Sequence, residues 1–334
     1  MMPYRLQRAV QDAGRRARVL RGMAHVDRHD LSGTVLLAGS GRSGTTWLGQ
    51  IVNHGNAYRD VFEPFHPGRV ERLRGWPAMR YLPSDAETPS EAHVVRGLLA
   101  GRVRTAWTDA YNRKAFPKQR LIKAIRANLM LGWIRADCPQ VTLLFAMRHP
   151  CAVAYSRLKL GWETHLGQLL DQPRLVRDHL GPCRELVERV AFEGDAWQRH
   201  VTMWCIENVV PLRQLRAGEA HVLQYERVCE SFDSEAEALF GFLSRATPRG
   251  IERARHQHSP HFRRDSAILR GGSLIHDWQS RVNTAQIDQA LALLDAFGLG
   301  HLYSERAMPR VGRDDVFIDS RPSDRPTASR REAA

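Results

Sequence analysis

One stretch, Thr34–Val52 (TVLLAGSGRSGTTWLGQIV), limits the choice of fold more than any other part of the 334-residue chain. Thr34, Val35, Leu36 and Leu37 read as a buried strand and Gly39–Thr46 as a short loop. Trp47, Leu48, Ile51 and Val52 then fall on one side of a helix that Gly55 can end. Strand, glycine loop and helix together aim several backbone N–H groups and a positive helix end at an anion. The spacing from Gly39 to Gly44 fits the phosphate-loop pattern GxxxxGK[ST], except that Thr45 stands where that pattern has Lys. That Lys holds the β- and γ-phosphates of a nucleoside triphosphate, so its replacement argues against ordinary ATP or GTP use. The positive charge sits three residues earlier, at Arg42. The loop reads as a phosphate cradle built for a different nucleotide.

A second candidate anion site lies about a hundred residues on, in Val141–Arg157 (VTLLFAMRHPCAVAYSR), where an apolar run ends at Arg148 and Ser156 falls in the following helix. Arg42-Ser43-Gly44-Thr45-Thr46-Trp47 resembles the 5′-phosphosulfate loop of sulfotransferases that use 3′-phosphoadenosine 5′-phosphosulfate (PAPS), and Arg148 with Ser156 resembles their 3′-phosphate motif. The segments RSGTT, FEP, KAIR and R-x-P-x-A-V-A-x-S-R are most similar to the carbohydrate sulfotransferase branch and its bacterial relatives. The resemblance covers Thr34–Phe65 and Leu121–Trp162 firmly and His221–Tyr303 loosely. It implies a P-loop-like, doubly wound, mostly parallel α/β sheet flanked by helices, PAPS as sulfuryl donor, and an acceptor hydroxyl, for which a carbohydrate or glycolipid is the expected carrier. The competing class is a kinase or ATPase of the same fold without the usual Lys. It would want a Mg²⁺-holding Asp after an apolar strand, and the Val141–Met147 strand runs into Arg148 instead.

The resemblance assigns roles residue by residue. Arg42 and the N–H groups of Ser43, Gly44, Thr45 and Thr46, with Trp47, would grip the 5′ end of the donor. Arg148 and Ser156 would bind its 3′-phosphate, for which a planar guanidinium fork is suited. His149 stands where the pattern usually has Asp, a departure that touches the capping of the next helix. Arg270-Gly271 before Trp278 is faintly similar to a late segment that closes over the 3′-phosphate, while a plain glycine turn is the alternative. An acceptor hydroxyl wants a general base. Glu63, followed by strand-ending Pro64, is the first candidate and His66 the second. Lys123 would stabilise the bridging oxygen as the sulfuryl group leaves. Arg126 either meets the acceptor or pairs with a carboxylate. Trp76, Tyr81, Trp107 and Trp162 could stack on sugar rings. Tyr225-Glu226 resembles a family strand end and reads as structural.

Strands are expected over Thr34–Leu37, Tyr58–Phe65, Lys118–Ile125, Val141–Met147 and His221–Tyr225, alternating with helices. A basic extension (1–33) with a short amphipathic helix over 4–28 precedes a single domain (34–308). Insertions near 66–118 and 163–195 are expected on the acceptor side, and a disordered tail is expected over 309–334. A net charge of +13 favours anionic partners. Yet only four lysines (114, 118, 123 and 159) occur, so the excess also fits a general preference for Arg. No basic stripe interleaved with aromatics argues for nucleic acid. Five scattered Cys without CxxC or His-flanked spacing read as reduced thiols, and no metal is expected. The sequence holds no apolar run long enough for a signal or anchor, so the expectation is a cytoplasmic enzyme, with peripheral membrane contact through Arg15–Arg21 left open.

Overall fold

The computed structural model describes residues 17, 20, 22–85, 87–256 and 275–318. Five strands, β1 (Thr34–Gly39), β2 (Arg59–Phe62), β3 (Arg120–Ala124), β4 (Thr142–Met147) and β5 (His221–Gln224), form one sheet in the order β2-β3-β1-β4-β5, and every pairing is parallel. Each lies where the sequence places it. The helices that bear on the site are α1 (Thr45–Val52), α2 (Pro89–Leu99), α3 (Leu131–Asp137), α4 (Pro150–Lys159), α5 (Leu166–Leu170), α6 (Arg184–Phe192), α7 (Ala196–Gln214), α8 (Tyr225–Glu230), α9 (Phe232–Phe242) and α10 (Thr284–Ala296). Helix α7 runs through Pro211 to Gln214 instead of stopping at the proline.

The strand period of two sorts the core onto two faces. Leu36 and Ala38 of β1, Leu143, Phe145 and Met147 of β4, and Val222 of β5 pack against Val153 of α4 and Val201, Trp204, Ile206 and Val209 of α7. Val35 and Leu37, Leu144 and Ala146, and Leu223 pack on the other side against Leu48, Ile51 and Val52 of α1 and Phe232, Leu239 and Phe240 of α9. Burial on both faces is why these strands read as continuous apolar runs. The strand order grows from β1 in both directions, toward β3 and β2 on one side and toward β4 and β5 on the other. A crevice therefore opens at the carboxyl end of β1, the usual ligand position of open parallel sheets.

Parts of the N-terminal extension, the C-terminal tail and the 163–195 insertion pack on the body. The helix expected over 4–28 lies mostly outside the described residues. Residues 22–33 are packed onto the body, because Asp27 pairs with two fully buried arginines, Arg59 and Arg120, the first residues of β2 and β3. Of the tail expected over 309–334, residues 309–318 are packed on the body. Val316 is buried, Arg313 pairs with Glu235 at 3.0 Å, and Ile318 donates its N–H to Leu212 at 2.8 Å. Residues 319–334 lie outside the described residues. Of the 163–195 insertion, Leu166, Leu169, Leu175, Leu180 and Val187 join the large core. A cleft of about 650 Å³ between Arg174–His179 and Arg213–Ala217 opens where the chain leads into the amino end of β5. Among the described residues no helix is long and apolar enough to cross a membrane.

Candidate functional site

The loop between β1 and α1 is held in a conformation that glycine makes accessible. Gly44 has φ +82°, and a Cβ there would stand 2.4 Å from the Tyr225 ring. Arg42 adopts φ +79° without that excuse, a strained setting that functional sites hold disproportionately often. Gly44, the N-cap of α1, offers no side chain to its first N–H groups, and no acidic residue sits in the first turn. The Ser43 hydroxyl is buried with no hydrogen-bond partner among the described residues. Uncapped donors, an orphaned hydroxyl and a neighbouring guanidinium make a site that attracts an anion.

Beneath the loop lies a set of polar residues that reading the sequence did not single out. Asn128 accepts the Gly39 N–H at 3.0 Å and donates to the Glu207 carbonyl at 3.1 Å. Asn208 donates to the Ser40 hydroxyl at 3.1 Å. Arg157 donates to the Gly41 carbonyl at 3.1 Å and to the Glu207 carboxylate at 2.6 Å, and both of these side chains are buried. A buried ion pair is better tolerated when further hydrogen bonds support it, and the Gly41 carbonyl supplies one to Arg157 Nε. Arg157 adjoins Ser156 within the second motif. Glu207 and Asn208 interrupt the buried, mostly apolar middle of α7, which was the one available signal.

The two motifs meet. Arg42 donates from Nε to the Ser156 hydroxyl at 3.0 Å, and Arg148 donates from Nη1 to the Arg42 carbonyl at 3.3 Å. β4 lies beside β1, so its carboxyl end delivers Arg148 next to the loop. The Arg148 guanidinium stands over the Tyr225 ring, 4.3 Å from its centroid. Tyr225 also backs Gly44 and meets Trp47 edge-on at 5.5 Å. Tyr225 is therefore a wall of the site and not a remote structural residue. Trp47 is fixed by its Nε1–H bond to the Ala254 carbonyl at 2.9 Å.

His149 does the capping that an Asp would do. Its Nδ1 accepts the Cys151 N–H at 3.2 Å, while Nε2 donates to the Ser304 carbonyl at 3.0 Å. The ring stacks on Trp278 at 4.2 Å. Burial lowers its pKa to about 4, so the imidazole is neutral at pH 7 and keeps the lone pair the cap requires. Its N–H donates to Glu226 at 2.8 Å, whose carboxyl burial raises to about 7.

Glu63 lies at the carboxyl end of β2, 2% exposed, with φ +44°. Its N–H donates to the Lys123 carbonyl at 2.8 Å and its carbonyl accepts from Trp107 Nε1 at 3.1 Å, which fixes the turn. Oε1 accepts from Lys123 Nζ at 2.9 Å, Oε2 accepts the Ile125 N–H at 3.1 Å, and Arg126 stands 3.8 Å from Oε2. Each carboxylate oxygen keeps a second lone pair for a further donor. His66 is less well placed to take a proton. Its Nδ1 lies 3.2 Å from the Gly68 N–H, and burial, then Arg126, lower its pKa to about 4. Lys123 also faces the Phe62 ring at 4.3 Å.

Glu63, Lys123 and His66 thus share the end of β2 and β3, and Arg42–Trp47, Arg148 and Ser156 share the end of β1 and β4. Arg270 and Gly271 lie outside the described residues. Among the described residues no cluster of three His, Cys, Asp or Glu could hold a metal ion.

No protein-family model matches the chain, and no curated protein matches it. Among solved structures it is similar to the sulfotransferase domain from the curacin biosynthetic pathway, at 12% identity over 82% of this chain and 98% of that one, with a TM-score of 0.45. It is also similar to the sulfotransferase domain from the Synechococcus PCC 7002 olefin synthase (13%, 79% and 94%, TM-score 0.43). A third likeness is to mouse sulfotransferase SULT7A1 complexed with PAP (14%, 85% and 91%, TM-score 0.39). Likenesses at this level carry no weight for what the site does.

Proposed function

We propose that the chain is a sulfotransferase that takes a sulfuryl group from PAPS and passes it to an acceptor hydroxyl on a carbohydrate or glycolipid. The observation that carries this reading is the junction at Arg42. One residue gives its side chain to Ser156 and its carbonyl to Arg148, so two anion-binding motifs separated by over a hundred residues border one crevice. A donor with phosphates at both ends of one nucleoside calls for such a pair. The orphaned Ser43 hydroxyl and the Cβ-free cradle at Gly44 fit a phosphate group.

When bound, PAPS supplies the sulfur–oxygen bond that breaks and a bisphosphate that leaves. Arg42, the Ser43 hydroxyl and the N–H groups of Gly44–Thr46 would hold its 5′ end, the Ser43 N–H being donated to the Ser40 carbonyl, and Arg148 with Ser156 would hold its 3′-phosphate. Trp47 and Tyr225 line the space between. Arg157, Glu207, Asn128 and Asn208 keep the loop preorganised, so the donors need no reorganisation during reaction. Glu63 accepts the acceptor's hydroxyl proton as its oxygen bonds to sulfur. Lys123, 2.9 Å from Glu63, is the cation that would steady the leaving oxygen as it gains charge. A soluble donor of this kind fits a cytoplasmic enzyme, and that placement belongs to the same proposal.

Incubating the full chain with ³⁵S-labelled PAPS and a host metabolite extract tests the reading. Transfer of label to an extractable hydroxyl compound is expected, and label that stays entirely on the donor or is released only as free sulfate would contradict it.

A further inference from the structure

Arg126 lies two residues beyond the end of β3, at the same edge as Glu63 and Lys123. Its side chain is 23% exposed, and its one ionic contact is Glu63 Oε2 at 3.8 Å, too long for a hydrogen bond. Among the described residues the guanidinium makes no hydrogen bond, although it carries five N–H donors. Burial of a cation in that condition is costly. Glu63 is already held at hydrogen-bond distance by Lys123 and the Ile125 N–H, and Arg126 stands off from it. The loop itself takes its hydrogen-bonding cations from Arg42, Arg148 and Arg157.

The surroundings of Arg126 suggest what it waits for. The residue before it, Ile125, packs with the Trp162 ring against Gly41 of the loop, where an added Cβ would stand 2.6 Å from Trp162 and 3.1 Å from Ile125. Trp162 is nonetheless 38% exposed, so part of a large apolar ring faces solvent beside the loop. On the far side of Glu63, the Arg69 guanidinium stands 5.0 Å from the Trp107 ring centroid. The pKa of His66 is lowered by both Arg126 and Arg69, which places two cations within electrostatic reach of one ring. Aromatic faces suit the C–H face of a sugar ring, and a planar fork suits a carboxylate or sulfate.

We propose that the acceptor carries an anionic group, a carboxylate or a sulfate ester, that Arg126 binds through its guanidinium fork while the acceptor's ring lies on Trp162. This inference rests on the sulfotransferase reading and narrows it to anionic hydroxylated acceptors. Lys123 then serves the transferring group and Arg126 serves selectivity.

The test uses the full chain saturated with adenosine 3′,5′-bisphosphate, so that the donor grips are filled. Calorimetry then measures binding of an unsulfated chondroitin hexasaccharide, its carboxyl-reduced neutral counterpart, and a sulfated dextran oligosaccharide of similar length. At least one anionic probe should bind about tenfold or more tighter than the neutral one, and comparison of the two shows whether carboxylate or sulfate is preferred. Arg126→Gln should abolish that difference with bisphosphate affinity unchanged, which also reports an intact fold. Arg126→Lys should restore part of it. Equal binding of charged and neutral probes overturns the inference, as does no binding of either anionic probe, or equal losses on all probes in Arg126→Gln. Failure of the bisphosphate itself to bind would instead overturn the donor reading.

Discussion

Arg148 donates to the main-chain carbonyl of Arg42 at 3.3 Å, across 106 residues of sequence. The bond ties the end of β4 to the loop after β1 and sets two guanidinium groups on the rim of one crevice. Arg148 is also poised over Tyr225 at 4.3 Å, so its fork has a fixed platform.

Arg148→Ala should weaken binding of adenosine 3′,5′-bisphosphate by about 1.5–3 kcal/mol, the scale of a hydrogen bond to a charged group. Calorimetry reads this directly. Unchanged affinity would remove Arg148 from the site.

Glu63→Gln should lower turnover steeply while bisphosphate affinity barely changes, because Glu63 touches Lys123, Ile125 and Arg126 and none of the loop residues that hold the donor. Gln keeps one acceptor oxygen for the Lys123 ammonium but turns its NH2 toward the Ile125 N–H, so an unchanged Tm is needed to assign the loss to the missing base. Steady-state sulfate transfer measures it. Full activity would shift the base to His66 despite the Gly68 N–H at its Nδ1.

Gly44→Ala should damage both the loop and its ligand. The new Cβ would face a φ of +82° and the Tyr225 ring at 2.4 Å. The conformational penalty is about 1–2 kcal/mol before the clash is counted. Thermal denaturation should show a lower Tm, and bisphosphate affinity should fall. A wild-type Tm with wild-type affinity would contradict the cradle described for this loop.

Acid should destabilise the protein. Burial lowers His149, His179, His200 and His221 to about 4 in the folded chain, against an unfolded value of 6.5. The unfolded state therefore binds more protons between those values, so the contribution of these groups is full above pH 6.5 and is lost as pH falls toward 4. Glu226 acts in the opposite sense. Its carboxyl, raised by burial from 4.5 to about 7, contributes stability at low pH that is lost as pH rises through 7. Asp60, raised by burial from 3.8 to about 6, acts with Glu226, and the four histidines outweigh these two, so Tm should drop steadily from pH 6.5 to 4.5. Glu226→Gln should raise Tm more at pH 8 than at pH 5. A Tm independent of pH over this range would contradict the burial of these histidines.

The centre of the sheet was legible because β1 and β4 are covered on both faces and read as apolar runs. The Gly39–Thr46 loop was legible because its features are local, with glycines, Arg42 and a helix start in one continuous segment. What supports it was not. Asn128, Glu207 and Asn208 reach Gly39, Arg157 and Ser40 from 50 to 168 residues away, and nothing in their own neighbourhoods announces the partner. Arg59 and Arg120 lie at strand starts where an apolar residue would be expected, and their burial depends on Asp27 and Asp109 arriving from elsewhere. The tail boundary was misplaced because the charged composition after Pro309 hides single anchors such as Val316. At His149 the departure from the family pattern was visible, and the structure shows an imidazole lone pair taking over the cap.

The most direct measurement is calorimetric titration of the full chain with adenosine 3′,5′-bisphosphate, ATP–Mg²⁺ and a short oligonucleotide under one set of conditions. Tight binding of the bisphosphate with no response to the other two is the predicted result. Preference for ATP–Mg²⁺, or no binding of the bisphosphate, would contradict the account.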